Sequence, residues 1–351
     1  MSEDPPPIPT ALRMQAHACR RLGSPLNGAL LDRAAEDWLA GGPVKPLLAP
    51  WAHCGVRALF DAAASLRLIG AWHELALCGD DPAMAQAYAA LDEAAIWTAA
   101  RHAMVADRAR MAAFMAHEPQ TNEVRRAICL VGGFLEIAKV TGLPLRCFEI
   151  AASAGLNVSW DRYRYRMGEA AWGDPAASVS MDTDWQGPPP TAEIPIKVIE
   201  RAACDRRPTD LTDPAQRRRL LAYVWADQPE RLARIRAAID VTLAQGVTVE
   251  AADAVDWTRA RVAPVAGAAT VLYHSVFWQY MPAQSQTALA QLIVDIGSSA
   301  TRDAPFAWLR MEPDPQNMLE MQVRLTLWPT GTEQVLATVH PHGAMVNWTA
   351  T

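Results

Sequence analysis

The sequence predicts an α/β protein. An all-helical N-terminal domain, residues 1–141, precedes a mostly parallel sheet in residues 142–351 that ends in an antiparallel hairpin. Apolar residues recur at helical spacing through the first range, with hardly any alternating β-branched run. In the second range short apolar runs alternate with helical segments, which specifies a parallel sheet. The length of 351 residues exceeds the usual single-domain core and favours two domains.

Three helices are clearest in the N-terminal range, near residues 55–78, 93–115 and 121–141. In the last of them the apolar residues between Ile128 and Ile137 form one stripe at helical spacing. Thr121, followed closely by Glu123, favours a helix start at the QTN segment. We therefore assign this helix to the helical domain.

Apolar runs after Gly142 predict the strands of the sheet, and the first of them is followed by a turn and a helix start. Residues 163–195, rich in Pro, Gly, Asp and Trp, predict an inserted hairpin and loop. The segments MQVRLTLW and VLATVHPHG flank a turn at residues 329–332 and predict the closing hairpin. The five earlier strands are predicted in LRCFEIAAS, IPIKVIERA, VTVEAADA, AATVLYHSVF and PFAWLRMEP, with helices at 214–225, 229–245 and 283–296. This order of elements is Rossmann-like and resembles the sheet of class I methyltransferases.

Composition and charge exclude several classes of protein. A hydrophobic fraction of 51% and a charged fraction of 20% are ordinary for a globular chain that buries a core. The net charge of −6 offers no broad attraction for a phosphate backbone, so no nucleic-acid partner is expected. The stretch from Val262 to Val294 lacks charged residues, but polar residues interrupt it, so no membrane span is expected.

Cysteine usage and the N-terminal segment predict a cytoplasmic protein. The six cysteines form no C-x-x-C pair or dense cluster. The first residues, MSEDPPPIPT, lack the basic and apolar regions of a secretory signal. His340 and His342 have no third ligand at a suitable spacing, so no metal site is predicted.

The loop after the first predicted strand is a candidate cofactor loop. Glu149 to Asn157 reads EIAASAGLN and resembles the E-x-G-x-G-x-G loop that wraps the methionine portion of S-adenosylmethionine. Small residues let backbone approach a ligand, but Ala151 and Ser153 replace expected glycines and disfavour positive φ angles. The same run, ending in Gly155, would also let a helix pack close to the sheet. Glu149 favours a site, because burying an unpaired charge at a strand end is costly.

Acidic residues after the second and third predicted strands are candidates for binding the rest of the cofactor. Asp205 follows VIERAAC, where a carboxylate could accept hydrogen bonds from ribose hydroxyls, and Glu200 is the competing residue. Asp253 and Ala254 resemble the methyltransferase element in which an acid meets the adenine amino group and the next amide meets a ring nitrogen. An ordinary surface carboxylate and a helix cap are the alternative roles for Asp205 and Asp253.

The fourth and fifth predicted strands end in candidate catalytic residues. His274 could act as a base near neutral pH, and Tyr280 and Glu312 follow or lie in strands that reach the same edge. Trp278 and Gln279 would line the substrate pocket, where aromatic rings could surround a sulfonium group or an aromatic acceptor. Structural roles in the core stay open for His274 and Trp278.

Long motifs across almost the whole chain resemble one protein family. They are QTNEVRRA, EIAASAGLNVSWDRYRY, the segment from Asp205 to Leu211, VWADQPERLARIRAAI, HSVFWQYMP, AWLRMEP, and LTLWP followed by HPHG. On these motifs the chain is identified as a member of the bacterial domain of unknown function 2332 family, which brings no established activity. The resemblance implies that members usually carry Gly at the position of Ala151, so the family loop is nearer to the methyltransferase pattern than the loop of this chain. The resemblance implies that further motif residues reach the same pocket: Asn122, Glu123, Asp161, Arg162 and Tyr163.

These observations together predict S-adenosylmethionine-dependent methyl transfer to an unidentified small molecule. Two alternatives stay open. One is a serine hydrolase, with Ser153 on a small-x-Ser-x-Gly elbow and Asp253 and a later His available. The other is a methyltransferase-like scaffold that binds a partner without a cofactor. A dinucleotide oxidoreductase ranks last, because the glycine spacing fits G-x-G-x-x-G poorly. The sequence leaves the methyl acceptor and the oligomeric state open.

Overall fold

The computed structural model describes residues 5–350, which divide into two compact units. The first, called here the helical unit, comprises residues 5–121 together with Asp213–Ala233. The second, the sheet unit, comprises Asn122–Thr212 together with residues 234–350. Every candidate site residue named from the sequence lies in the sheet unit.

The helical unit consists of short helices around one apolar core. Aspartate side chains begin two of them, since Asp81 and Asp92 each accept a hydrogen bond from a backbone amide three residues on. Two of the helices predicted from periodicity are each interrupted once, at Ala63, whose φ is 52°, and at Asp107. The helices up to residue 121 are α1 (Pro7–Arg21), α2 (Pro25–Leu39), α3 (Val44–Leu47), α4 (Val56–Asp61), α5 (Ala64–Cys78), α6 (Pro82–Ala90), α7 (Glu93–Ala106) and α8 (Arg108–Met115).

Helix α9 (Ala127–Thr141) lies against the sheet rather than in the helical unit. Two adjacent glycines explain this position. A Cβ on Gly133 would lie 2.3 Å from Leu309, and one on Gly132 would lie 2.4 Å from Trp348, so only glycines let the helix backbone come this close. The predicted boundary after residue 141 is therefore not the boundary between the two units. Conversely, Asp213–Ala233, which contains α10 (Pro214–Ala222), belongs to the helical unit.

A large, mostly parallel sheet forms the centre of the sheet unit. Its order across the residues that the structure describes is β7-β6-β1-β8-β9-β10-β11-β12-β5. Neighbours from β7 to β9 are parallel, those from β9 to β12 are antiparallel, and β5 is parallel to β12. The strands are β1 (Leu145–Ile150), β2 (Arg164–Met167), β3 (Ala170–Trp172), β4 (Ser180–Asp182), β5 (Asp184–Gln186), β6 (Val198–Asp205), β7 (Val249–Ala251), β8 (Ala269–Ser275), β9 (Phe306–Asp314), β10 (Asn317–Trp328), β11 (Thr332–Val339) and β12 (Met345–Trp348).

The strands predicted from the apolar runs are all present, and β10 and β11 form the predicted antiparallel hairpin. The segment after β1 differs from the prediction. A 3-10 helix, Leu156–Arg162, stands where an α-helix start was expected. The Tyr163 hydroxyl donates to the Leu156 carbonyl, and the Tyr165 hydroxyl donates to the Trp160 carbonyl. These two carbonyls would otherwise accept the backbone hydrogen bonds of a longer helix.

The insertion predicted at residues 163–195 forms a small sheet of its own. Strands β2 and β3 make an antiparallel hairpin, and β4 pairs with β2 on the other side. The turn after β3 requires glycine, because Gly173 has a φ of 93° and a Cβ there would lie 2.0 Å from the Tyr163 carbonyl oxygen. Trp160 stacks at 3.8 Å on Phe134 and at 5.6 Å on Trp172, which fastens the small sheet to α9.

Three further helices complete the chain: α11 (Pro229–Ala244), α12 (Ala254–Arg261) and α13 (Ala283–Ser298). No helix within residues 5–350 is long and apolar enough to cross a membrane. The uncharged stretch from Val262 to Val294 instead contains β8 and most of α13. All six cysteines are free thiols, and four of them are buried.

Candidate functional site

The candidate site lies where the carboxyl ends of β1 and β8 meet. After β1 the chain builds outward through β6 and β7 on one side, and then returns to add β8 and β9 on the other. The order of the parallel strands therefore reverses between β1 and β8. Ligands of open parallel sheets bind in the crevice at such a reversal, outside the carboxyl ends of the strands.

Strained backbone occurs on both sides of this crevice. In the loop after β1, alternate residues adopt left-handed backbone: Ala151 at φ 57°, Ser153 at 55° and Gly155 at 74°. Val276, just after β8, has a φ of 53°, although β-branched residues rarely adopt it. Such a conformation costs a residue with a side chain about 1 kcal/mol or more, so the surrounding structure must impose it. Ala151 and Ser153 therefore adopt positive φ although their side chains disfavour it, which the sequence did not predict.

Asp205 holds the loop after β1 in this shape. One oxygen of its carboxylate accepts a hydrogen bond from the Ser153 amide at 2.9 Å, and the other accepts one from the Arg207 amide at 2.8 Å. The Ser153 carbonyl accepts from the Thr209 amide at 3.1 Å. Bonds from backbone N–H groups to a carboxylate are stronger than neutral ones. Asp205 therefore fixes the candidate cofactor loop.

Two motif residues hold the same loop from the other side. The side-chain oxygen of Asn122 accepts from the Leu156 amide at 2.9 Å, and the side-chain amide of Asn157 donates to the Glu123 carbonyl at 3.2 Å. Both Asn122 and Glu123 are buried. The side-chain oxygen of Asn157 is buried without a hydrogen-bond partner in the part of the chain that the structure describes. It is an unsatisfied acceptor within the candidate site.

Glu149 ends β1 as a buried carboxyl group, only 3% exposed. The Tyr273 hydroxyl lies 3.3 Å from one Glu149 oxygen and 3.4 Å from the Asn157 carbonyl. Burial raises the pKa of Glu149 to about 8; the hydrogen bond from Tyr273 opposes the shift, and the nearby Asp205 adds to it. Glu149 is therefore mostly protonated at neutral pH and can both donate and accept a hydrogen bond.

His274 is fully buried and uses both ring nitrogens. Its Nδ1 lies 2.7 Å from a Glu312 oxygen, which also accepts from the Phe277 amide at 2.9 Å. The Trp308 indole N–H donates to His274 Nε2 at 3.1 Å. Because Nε2 accepts a bond, the proton belongs on Nδ1, which donates to Glu312. The ring therefore positions Glu312 and has no free nitrogen to act as a base. Trp278 stacks on it at 5.8 Å.

The remaining predicted residues are dispersed. Asp253 is exposed and caps α12 by accepting from the Val255 amide at 2.9 Å, with Ala254 as the first residue of that helix. Asp161 makes a two-pronged ion pair with Arg201. Two other residues point to solvent, since the Arg162 side chain is 59% exposed and Tyr280 is 74% exposed. Gln279 is also exposed, and Tyr163 is buried as described above.

One family model matches residues 10–348, which is nearly the whole chain, and its description is "Uncharacterized protein conserved in bacteria (DUF2332)". The chain belongs to the DUF2332 family. The family predicted from the motifs is thus confirmed. No curated protein and no solved structure matches the chain.

The QTNEVRRA and HPHG motifs of this DUF2332 protein meet in the structure. Arg126 donates from Nε to the Pro341 carbonyl at 3.0 Å. A Cβ on Gly343 would lie 2.4 Å from the Arg125 carbonyl oxygen, which explains the glycine of HPHG. His340 accepts from the His342 amide, and burial beside Arg125 lowers the pKa of His340. No cluster of three or more metal-binding side chains occurs among the described residues.

Sequence reasoning missed three residues of this site, namely Arg126, Tyr273 and Trp308. Tyr273 and Trp308 lie within apolar strands, where they are indistinguishable from core residues. Arg126 stands in a recurrent motif, and that was the available signal. The alternative with Ser153 as nucleophile gains no support, because its hydroxyl has no hydrogen-bond partner within residues 5–350 and both nitrogens of His274 are engaged.

Proposed function

We propose that the sheet unit binds S-adenosylmethionine in the crevice between β1 and β8 and transfers its methyl group to a small molecule. The observation that carries this proposal is the loop after β1. Left-handed backbone at Ala151, Ser153 and Gly155 reproduces the conformation for which the glycines of an E-x-G-x-G-x-G loop are needed. Backbone strain of this kind persists where the surrounding structure imposes it, and it clusters at functional sites.

The order of the parallel strands supports the proposal. In chain order, the five strands from β7 to β9 are the third, second, first, fourth and fifth of the parallel set. These are the first five positions of the doubly wound order that binds nucleotides at its reversal point. After β9 the sheet continues as an antiparallel meander, which nucleotide binding does not require. Because a fold alone does not establish a function, the strand order supports the proposal only by analogy, and the stronger support comes from the loop after β1.

Three groups of this chain would hold the cofactor. The backbone of residues 151–155 would face the methionine portion. Asp205 uses one hydrogen bond per oxygen on the loop, and each oxygen can accept another from a ribose hydroxyl. Asp253 caps α12 with one oxygen, which leaves its other oxygen for the adenine amino group. When bound, S-adenosylmethionine supplies an electrophilic methyl group on a sulfonium.

The proton chemistry falls to a different residue from the one predicted. His274 has no free nitrogen, so it serves to orient Glu312. The second oxygen of Glu312 is buried and has no hydrogen-bond partner among residues 5–350. That oxygen is the available acceptor for an N–H or O–H of a methyl acceptor. Catalysis otherwise consists of holding the attacking atom in line with the methyl group.

Thermal unfolding in the presence of ligands tests the proposal. We expect S-adenosylmethionine and S-adenosylhomocysteine to raise the midpoint by several degrees, because a ligand at ~100 times its dissociation constant adds about 2.7 kcal/mol of stability. NAD serves as the control and should leave the midpoint unchanged. The proposal fails if neither sulfur nucleoside raises the midpoint, and a shift with NAD alone would favour a dinucleotide enzyme.

Replacing Asp253 tests the adenine site. We expect Asp253→Ala to weaken S-adenosylhomocysteine binding about tenfold, the effect of one lost hydrogen bond, as measured by calorimetry. It should also cost about 1 kcal/mol of stability through the lost cap of α12.

Asp213→Ala is the matched control for this variant. Asp213 caps α10 by accepting from the Ala215 amide at 2.8 Å, as Asp253 caps α12, and its other oxygen accepts from the Gln216 side chain at 3.1 Å. The Asp213→Ala variant should lose at least as much stability as Asp253→Ala and keep its affinity for the ligand. Equal affinities in the two variants would remove Asp253 from the adenine site.

A further inference from the structure

Arg126 carries a positive charge that no carboxylate of the described chain neutralises by direct contact. Its Nε donates to the Pro341 carbonyl at 3.0 Å, and its two terminal nitrogens have no hydrogen bond or ion pair within residues 5–350. Burial lowers the pKa of Arg126, while Glu123, Glu312 and Tyr280 lie close enough to oppose that shift. A guanidinium stays charged in proteins, so the two terminal nitrogens of Arg126 are available to donate to an anionic ligand.

Glu312, which lies close enough to Arg126 to act on the pKa of its guanidinium, has a carboxylate oxygen that is unpartnered in the described part of the chain. One of its oxygens accepts from His274 and from the Phe277 amide, which fixes the side chain. Its other oxygen is buried and has no partner in the described residues, although the residue is only 8% exposed. A buried carboxylate oxygen without a hydrogen-bond partner is a strong acceptor for a donor group of a ligand. Arg126 can thus bind an anion and Glu312 a cation, and no ion pair joins the two side chains within residues 5–350.

We infer that Arg126 and Glu312 form a binding site for the amino-carboxylate end of a zwitterionic ligand. Arg126 would bind the carboxylate through its terminal nitrogens, in the two-pronged geometry that guanidinium groups favour, and Glu312 would accept from the ammonium group. This inference rests on the proposed function for the identity of the ligand. An amino acid that accepts the methyl group fits the role given there to Glu312; if the ligand is instead the methionine end of S-adenosylmethionine, Glu312 binds the cofactor and not the methyl acceptor. Both sources present the same chemistry to the two side chains.

The neighbouring residues fit a single site for one zwitterion. His340 remains neutral near pH 7, because burial and Arg125 lower its pKa, so it does not compete with Arg126 for the carboxylate. Arg125 donates from a terminal nitrogen to the Asp182 carbonyl at 2.7 Å, and its Nε is buried without a hydrogen-bond partner among residues 5–350. The HPHG segment positions Arg126 through the Pro341 carbonyl.

Calorimetry on the full chain tests this inference. The probes are S-adenosylhomocysteine, 5′-methylthioadenosine, which lacks the amino-carboxylate end, and each standard L-amino acid in turn. The proteins are the wild type, Arg126→Gln and Glu312→Gln, with Arg125→Gln as the matched control. We expect the affinity for the zwitterionic probe to fall about a hundredfold in Arg126→Gln and about tenfold in Glu312→Gln, and to stay unchanged in Arg125→Gln. If Arg126→Gln fails to fold, Arg126→Lys keeps the charge, loses the two-pronged geometry and should bind about tenfold more weakly.

Each outcome decides between the sources or against the site. If Arg126→Gln and Glu312→Gln bind S-adenosylhomocysteine more weakly than the wild type but bind 5′-methylthioadenosine equally well, the site belongs to the cofactor. If these variants lose only the binding of an amino acid, the site belongs to the methyl acceptor. If the four proteins bind S-adenosylhomocysteine equally and no amino acid binds, the zwitterion site is refuted and the proposed function stands. If an amino acid binds and its binding is lost in Arg126→Gln, while no nucleoside binds, the zwitterion site is supported and the cofactor is refuted. Binding of no probe refutes both.

Discussion

The free energy of unfolding should fall as the pH rises from about 5 to about 8, by up to about 1.4 kcal/mol per pH unit, through Glu149 alone. Burial raises the pKa of this carboxyl group to about 8 from an ordinary value of 4.5. Below the ordinary pKa both states hold the proton, and the stabilising contribution is fully present. Above it the unfolded state loses the proton while the folded state keeps it, so stability is lost until the pH passes the folded pKa. Urea unfolding at a series of pH values measures the slope.

Glu149→Gln isolates this contribution from other titrating groups. The variant keeps the size and the hydrogen bonding of the protonated carboxyl group, so it should remove the slope and gain stability over the wild type at pH 8. Glu200→Gln is the matched control, because Glu200 is half-exposed and paired with Arg146 at 2.6 Å on the neighbouring strand. Parallel pH curves for the wild type and Glu149→Gln would contradict the buried, protonated state of Glu149.

Periodicity predicted most elements of the fold, because helices and strands bury their apolar residues with different spacing. It could not place α9. An apolar stripe shows that one face of a helix is buried, but not which element buries it, and the signal that decides is the Gly132-Gly133 pair facing Leu309 and Trp348. Strand β12 (Met345–Trp348) escaped prediction because four residues carry too little pattern to separate a strand from a loop.

The sequence predicted those site residues that stand at the ends of strands. It could not predict the contacts that depend on how neighbouring strands are aligned. Asp205 and Glu149 were found because acids at the ends of apolar runs are unusual. The pairing of His274 with Glu312 depends on the alignment of β8 with β9, in which His274 lies beside Arg310. No local pattern encodes that alignment. The shape of the loop at Ala151 was misjudged for a related reason, since residues far along the chain, Asp205 among them, impose its φ.

Glu312→Ala should cost about 2–4 kcal/mol of stability, because it leaves one buried and one partly buried donor without their charged acceptor. The donors are His274 Nδ1, at 2.7 Å from the carboxylate oxygen, and the Phe277 amide, at 2.9 Å. Glu312→Gln keeps an oxygen at this position and should cost only about 1 kcal/mol, the difference between a charged and a neutral acceptor. Urea unfolding of the two variants beside the wild type provides the comparison, with equal urea dependence as the check on two-state behaviour.

The difference between these variants decides the role of His274. If Glu312→Ala costs no more than Glu312→Gln, Glu312 does not hold the imidazole, and the proton need not reside on Nδ1. Nitrogen NMR of labelled histidine gives an independent reading: a protonated Nδ1 and an unprotonated Nε2 are expected in the wild type, and the preference should weaken in Glu312→Ala. A wild type protonated on Nε2 would contradict this assignment, because Nε2 could then no longer accept the bond from Trp308. The unprotonated Nδ1, at 2.7 Å from Glu312, would then require a protonated Glu312 as its donor.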